Sequence, residues 1–300
     1  MTRDDLYASV TASICEALEA GTRPWAPSWD KAACGGVGAL PLRSTGEPYR
    51  GVNVLLLWGV AMAKGYTQPR WLTFKQAIEA GAAVRKGEKG ARVVYAGRLV
   101  REAGEGETGD ENGQRQIPFL KGYTVFNVEQ IDGLGADWFE AARPALPEPE
   151  RDAAAEAFFA ATGARVQHGG AVACYVPSTD QIHMPPLGAF TDLEAYYAVR
   201  AHETVHWTGH KSRLDRAGGK RFADKGYAFE ELIAEIGAAF LCASLGLSAE
   251  PRADHADYLA GWLKVLKEDK RAIFTAASAA QAAVDLLHQL AAPVALDVAA

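Results

Sequence analysis

The stretch RAHETVHWTGH, residues 200–210, restricts the fold more than any other part of the chain. It contains His202, Glu203 and His206, so two histidines stand four residues apart and a glutamate directly follows the first. In a helix this spacing places both imidazoles on one face, where they can bind one metal ion, with the glutamate beside the open coordination position. The sequence therefore predicts a metal-binding helix, and a further ligand must come from a neighbouring element.

A third histidine is one source of that ligand. It would follow His206 by six residues, with a glycine between them, and Gly209 does occupy the glycine position. The ligand position, however, holds Ser212, and His210 comes two residues too early. This pattern is therefore excluded.

A glutamate from the next helix is the other source. The segment FEELIAEIGAAFLCASLG, residues 229–246, places Glu230, Glu231 and Glu235 among apolar residues, where acids are unfavourable unless they meet a cation or a donor. Glu231 and Glu235 are four residues apart and share a face. We expect Glu231 to bind the metal and Glu235 to hydrogen-bond a ligand histidine, with Glu230 as the alternative ligand. A solvated stripe of acids is the competing interpretation, and it suits Glu230 best.

Such a site is typical of peptide-bond hydrolysis, with Glu203 as the catalytic residue that takes a proton and passes it to the leaving amine. Zn2+ is the expected cofactor, and another divalent ion such as Mn2+ would also suit the ligands. Upstream, CYVPSTDQIHMP predicts a strand whose edge could hold an extended substrate. Its Tyr175 and His183 are candidate oxyanion stabilisers, although a core tyrosine and a surface histidine are the commoner roles.

A basic segment lies between Arg43 and Arg101, although the net charge of the 300 residues is −6. It carries eleven Lys and Arg against three acids, with aromatic residues interleaved. Single-stranded nucleic acid is bound by this combination, because bases stack on flat rings while cations contact phosphates. We predict such contacts from Arg50, Arg70, Trp71, Lys75, Arg85, Lys86, Lys89 and Arg92. The alternative is a solvated face above an ordinary aromatic core.

A run with three prolines, ARPALPEPE at residues 142–150, predicts a linker between domains. We place a single-stranded-DNA-binding domain at residues 1–142 and a metallopeptidase domain at residues 143–300. The first half mixes helix and strand patterns, and its acidic, Gly-rich tract at residues 103–116 predicts a mobile hairpin tip. The second half is mainly helical with a small sheet, so the predicted fold class is α+β with two domains.

Composition excludes several other classes of protein. No apolar run approaches the roughly 18–20 residues that a membrane helix needs, so we expect no membrane partner. The N-terminus carries acids where a signal peptide would carry basic residues. The four cysteines lie far apart without a C-x-x-C pair, which argues against a disulfide framework and a thiolate zinc site. A cytoplasmic location fits these features best.

The motifs also follow one another in a specific order. PYRGVNVLLLW, VRKGEKG and YTVFNVEQ stand in the first half, and HETVHWTGHKSRL and FEELIAEIGAAFL in the second. Over nearly its whole length the chain resembles the ArdC antirestriction proteins of conjugative plasmids, which are related to the N-terminal regions of TraC-type primases. The resemblance implies an N-terminal domain that binds single-stranded DNA and a C-terminal zincin-like metallopeptidase domain. It also implies a role in protecting incoming plasmid DNA from host restriction.

The same resemblance assigns roles to single residues. It implies metal ligands at His202 and His206, a catalytic acid and base at Glu203, and a third ligand from the EELIAE segment. A primase catalytic region is absent, so primase activity is not implied.

Two functions remain open at this point. The chain could be an active metallopeptidase that cuts a host protein, with the first half as a localising domain. It could instead be a non-catalytic protein that coats single-stranded DNA and whose metal site is structural. A metal-dependent nuclease is disfavoured, because nucleases prefer clustered carboxylates to a His-Glu-His helix.

Overall fold

The computed structural model describes residues 3–25, 40–102, 114–139, 148–216, 225–247 and 256–292. The predicted linker at residues 142–150 and hairpin tip at residues 103–116 lie largely outside this part, and so does the predicted boundary at residue 142. Mixed helices and small sheets in two units confirm the α+β class. Among the described helices, none is both long and apolar enough to cross a membrane.

In the described part of the chain, helices alternate with strands in the first half, and helices predominate in the second. The helices are α1 Arg3–Glu19, α2 Val52–Lys64, α3 Phe74–Glu79, α4 Glu148–Ala161, α5 Leu193–Thr208, α6 Lys225–Leu245, α7 Ala256–Glu268 and α8 Ala272–Ala291. The strands are β1 Trp71–Thr73, β2 Ala83–Val84, β3 Ala91–Glu102, β4 Gln114–Asn127, β5 Ile131–Asp132, β6 Arg165–His168, β7 Cys174–Val176 and β8 Gln181–Met184.

The N-terminal unit is built around a three-stranded antiparallel sheet of order β1-β4-β3. Its apolar helix α2 is followed by the capping residue Gly65, which adopts the left-handed conformation (φ 70°) that glycine accepts without steric cost. The Asn53 side chain fixes α2 to the sheet, because it donates to the Val94 carbonyl and accepts from the Val94 N–H, both at 2.8 Å. Strands β3 and β4 continue beyond this contact as a long hairpin.

The C-terminal unit packs helices against a separate three-stranded sheet of order β6-β8-β7, in which β7 is an edge strand. Asp192 caps the N-terminus of helix α5, because its carboxylate accepts a hydrogen bond of 2.7 Å from the Ala195 N–H. Helices α5 and α6 approach closely at Gly237, where a Cβ atom would lie 2.9 Å from both methyl carbons of Val205. The helix that carries His202 and His206 and the helix that carries Glu230, Glu231 and Glu235 are therefore direct neighbours.

The largest hydrophobic core contains residues from both halves of the chain. Trp25 meets Trp262 of α7 with ring centroids 5.7 Å apart, and Trp58 of α2 meets Phe240 of α6 at 5.9 Å. Both pairs have the edge-to-face geometry that aromatic rings favour. The two units therefore share packed surface, so each depends on the other for part of its core.

Candidate metal centre and nucleic-acid surface

His202 and His206 lie one helical turn apart on α5, and their Nε2 atoms are 3.1 Å apart. Glu231 on α6 completes the cluster, with one carboxylate oxygen 3.4 Å from His202 Nε2 and the other 3.5 Å from His206 Nε2. Ligand atoms that each lie 2.0–2.1 Å from a tetrahedral ion are about 3.3 Å from one another. The three side chains therefore stand at the separations that one bound ion requires.

The charges of this buried cluster also favour a cation. Burial alone would lower the pKa of His206, but hydrogen bonds to Glu230 and Glu231 raise it to about 10. Burial would raise the pKa of Glu231, yet its contacts with His202 and His206 hold that pKa well below its usual range. Two imidazoles beside ionised carboxylates would therefore bind protons when no metal is present, and a metal ion would replace those protons.

Each histidine has a second carboxylate at its other ring nitrogen. Glu235 lies 3.3 Å from His202 Nδ1, an ion-pair distance without good hydrogen-bond alignment. Glu230 lies 3.4 Å from His206 Nδ1 and also accepts a hydrogen bond of 2.8 Å from Arg216. Carboxylates in these positions orient a ligand histidine and raise its basicity. Glu230 thus lies behind His206 rather than among the ligand atoms. Arg216 holds it there, and no sequence pattern indicated this arginine.

Glu203 is buried and points to strand β7, where its Oε2 atom accepts a hydrogen bond of 2.9 Å from the Tyr175 N–H. The Tyr175 hydroxyl donates to Asp180 at 2.9 Å, and Asp180 forms an ion pair with Arg213. Burial, followed by the Asp180 contact, raises the pKa of Tyr175 to about 12, so its hydroxyl stays protonated. This hydroxyl is engaged in fixing the turn between β7 and β8. The role proposed for His183, half-buried on β8, stays a prediction.

Trp71 was predicted to contact nucleic acid, and the structure corrects this prediction. Its side chain is only 1 % exposed and packs in a core with Leu57 and Val125. Its ring also lies edge-on to Tyr66, with centroids 5.9 Å apart. Other residues of the protein cover this ring almost completely, so a base cannot stack on it. Trp71 instead packs β1 against α2.

The predicted cations differ in their surroundings. Carboxylates pair with three of them: Arg50 with Asp285, Lys75 with Glu79, and Arg85 with both Glu88 and Asp132. Arg70 lies over the Trp138 ring at 5.9 Å and donates to the Asp137 carbonyl. The side chains of Lys86, Lys89 and Arg92 are exposed. The N-terminal unit therefore exposes several basic side chains, but neighbouring acids offset part of their charge.

Two protein families match successive parts of the chain. Residues 4–126 match the N-terminal domain of the anti-restriction factor ArdC, and residues 153–279 match a zincin-like metallopeptidase family. Crystal structures of the antirestriction protein ArdC from plasmid R388 are similar over 96 % of this chain. The metal-free form is 50 % identical with a TM-score of 0.80 and 98 % of its chain covered, and the Mn(II)-bound form is 48 % identical with a TM-score of 0.78 and 99 % covered.

Two bacterial proteins are also similar to this chain. The uncharacterized protein y4eC of Sinorhizobium fredii is 44 % identical over 96 % of this chain and 92 % of its own length. The DNA primase TraC of Escherichia coli is 40 % identical over 94 % of this chain, which spans only 27 % of TraC. Together with the likeness to R388 ArdC along nearly the whole of both chains, these matches show that the chain belongs to the ArdC family of antirestriction proteins.

Proposed function

We propose that this chain protects incoming mobile DNA from restriction in the cytoplasm, by binding single-stranded DNA through residues 1–142 and by a metal-dependent peptidase-type site in residues 143–300. The observation that carries the proposal is the cluster of His202, His206 and Glu231, with Glu203 one residue beyond the first ligand. A host protein is the proposed substrate. The ArdC relationship supports the antirestriction role, and the zincin-like match supports the peptidase-type site.

The proposed metal ligands are His202, His206 and Glu231. Their donor set of two imidazoles and a carboxylate is that of hydrolytic zinc sites, and Mn2+ is an alternative that the Mn(II)-bound R388 structure supports. A bound divalent ion would polarise the substrate carbonyl and lower the pKa of water. The remaining catalytic work belongs to residues of this chain.

Glu203 is the proposed general base and acid. Its Oε2 atom is held by the Tyr175 N–H, and its second oxygen would take a proton from the attacking water and deliver it to the leaving amine nitrogen. Strand β7, as the edge of its sheet, offers backbone groups to an extended peptide. The pairing of Arg213 with Asp180 would keep this edge fixed over α5 while a substrate binds.

The DNA-binding half is proposed to contact phosphates through its exposed cations. Lys86 and Lys89 lie on the Gly-flanked loop after β2, and Arg92 follows on β3. Each phosphate contact releases counterions, so affinity for an oligonucleotide should fall steeply as salt is added. Neutralising Arg85, Lys86 and Lys89 together should flatten this dependence, and an unchanged slope would exclude the loop.

A non-catalytic function is the second candidate, and the burial of the site favours it. His202 and Glu203 are each only 4 % exposed, and Tyr175 already occupies one oxygen of the proposed base. In that case the ion would stabilise the packing of α5 on α6, and the protein would act by coating single-stranded DNA.

Replacing Glu203 with glutamine separates the two functions. The matched control is Glu194→Gln, which removes a carboxylate from the first turn of the same helix. The measurements are metal content, cleavage of candidate host proteins, and the efficiency of plasmid transfer into a restricting recipient. The proposal predicts that Glu203→Gln retains metal but loses both activities. Full antirestriction by this variant with its metal retained would support the coating function instead.

A further inference from the structure

The β3–β4 hairpin places three aromatic residues on one face. In its register Tyr123 pairs with Val93, Lys121 with Tyr95, and Phe119 with Gly97. Residues directly opposite each other share a face, and so do alternate residues along each strand. Tyr95, Phe119 and Tyr123 therefore lie on the same side of the hairpin, and we refer to them as the aromatic face.

The rings of this face contact one another. Tyr95 lies between the other two, with its centroid 5.9 Å from that of Phe119 and 6.4 Å from that of Tyr123. The Phe119 ring rests on the backbone of Gly97, where a Cβ atom would come within 2.6 Å of its Cζ atom. Glycine thus allows the ring to lie against the strand, and the three rings form a continuous surface.

The aromatic face is exposed because the core ends before it. Val93 belongs to the core at 5 % exposure, whereas Tyr95 is 55 % exposed and Tyr123 is 42 % exposed. Leu99, farther along the same face, is also exposed. A contiguous exposed apolar surface of this kind is typical of a binding site for a partner molecule.

The charge of the hairpin indicates the kind of partner. Its strands, residues 91–102 and 114–127, include five Lys and Arg and a single acid, Glu102. Lys121 stands beside Tyr95 on the aromatic face, whereas Arg98 is exposed on the opposite face and hydrogen-bonds the neutral oxygen of Gln116. A second copy of this chain would bring like charges together at the same surface, whereas a polyanion would be attracted to it.

We infer that bases of single-stranded DNA stack on Tyr95, Phe119 and Tyr123, while the hairpin cations contact the flanking phosphates. Sheets that present aromatic side chains bind single strands in this way, because every base has a flat face whatever the sequence. The inference rests on the proposed DNA-binding function and names its base-binding surface. In this arrangement the loop at residues 85–90 would contribute charge to DNA binding, and the hairpin would contribute base stacking.

The test compares two probes of equal length and charge, oligodeoxythymidylate and the same backbone without bases. Binding of each to the full-length chain is measured by fluorescence anisotropy at several salt concentrations. The wild type should prefer the oligonucleotide with bases. Tyr95→Ala and Tyr123→Ala should each weaken its binding about tenfold, leave the salt dependence unchanged, and reduce the preference over the abasic probe.

Two control variants make the result specific. Tyr95→Phe keeps the ring and should bind like the wild type. Phe74→Ala removes an equally exposed ring (55 %) from α3, away from the hairpin face, and should change little. Circular dichroism of each variant confirms that these surface changes leave the fold intact.

The outcomes separate this inference from the function on which it rests. If the wild type binds neither probe, the proposed DNA-binding function is wrong and the inference with it. If the wild type binds DNA but Tyr95→Ala and Tyr123→Ala bind equally well, only the inference is wrong. A loss as large in Phe74→Ala would move the base contacts to α3. If the wild type is a dimer and the Tyr95→Ala variant is a monomer, the aromatic face binds a second copy of the chain instead.

Discussion

Replacing Glu231 with glutamine should remove most of the affinity for a divalent metal, whereas replacing Glu230 should remove only part of it. The two residues are neighbours in the sequence, and both exchanges delete one charge while keeping the side-chain shape. Their positions differ: the Glu231 carboxylate lies 3.4 and 3.5 Å from the two Nε2 atoms, while Glu230 faces His206 Nδ1 on the far side of the ring.

The expected size of each effect follows from these positions. With free metal a thousandfold above its Kd, binding stabilises the folded chain by about 4 kcal/mol. Removing a partner of a ligand histidine typically weakens metal binding about 10–100-fold, so Glu230→Gln should retain about 1.4–2.7 kcal/mol of that stabilisation. Removing a ligand itself should weaken binding by roughly a thousandfold, so Glu231→Gln should retain about 0.4 kcal/mol.

Thermal unfolding with and without metal measures this difference, because each variant is compared with its own metal-free form. At roughly 2 °C per kcal/mol for a chain of this size, metal should raise the Tm of the wild type by about 8 °C, of Glu230→Gln by about 3–5 °C, and of Glu231→Gln by about 1 °C. Isothermal titration gives the affinities directly. Equal losses in the two variants, or a larger loss for Glu230→Gln, would refute the assignment of Glu231 as the ligand.

Three further predictions concern the packing that supports the two sites. Gly237→Ala should destabilise the chain by about 1–3 kcal/mol in urea denaturation and weaken metal binding, because its Cβ would press Val205 away from α6. Gly261→Ala, whose Cβ meets Ala228 at 3.3 Å, should be milder. Trp71→Ala should cost about 3–5 kcal/mol by the same assay, whereas Trp71→Phe should fold and bind oligonucleotides normally. The Arg213 guanidinium holds the pKa of Asp180 below its usual range, so the stability difference between the wild type and Asp180→Asn should be full above about pH 4 and should shrink as the pH falls towards the lowered pKa.

The helical part of the metal site was predictable from residue spacing alone. Two histidines four residues apart share a helix face wherever the helix lies, and an acid within an apolar helix needs a partner. These two constraints bring His202, His206 and Glu231 together, as the structure does. The order of the motifs then supplied the family, which the comparisons confirm.

The features that escaped prediction depend on how distant segments fold back. Glu230 was separated from Glu231 by about 100° on the helical wheel, yet the loop after α5 returns Arg216 to its carboxylate and fixes it behind His206. Trp71 stands beside Arg70 in the sequence, which resembles a stacking surface, but α2 covers it. Likewise, no local pattern shows that Trp25 packs on Trp262 across the two units.

One divalent ion is expected to bind between α5 and α6. Anomalous diffraction from crystals of the full chain grown with Mn(II) or Zn(II) tests it most directly. We expect a single strong peak about 2.0–2.2 Å from His202 Nε2, His206 Nε2 and a Glu231 oxygen. A peak at other side chains, or no peak while these three point away from one another, would contradict it.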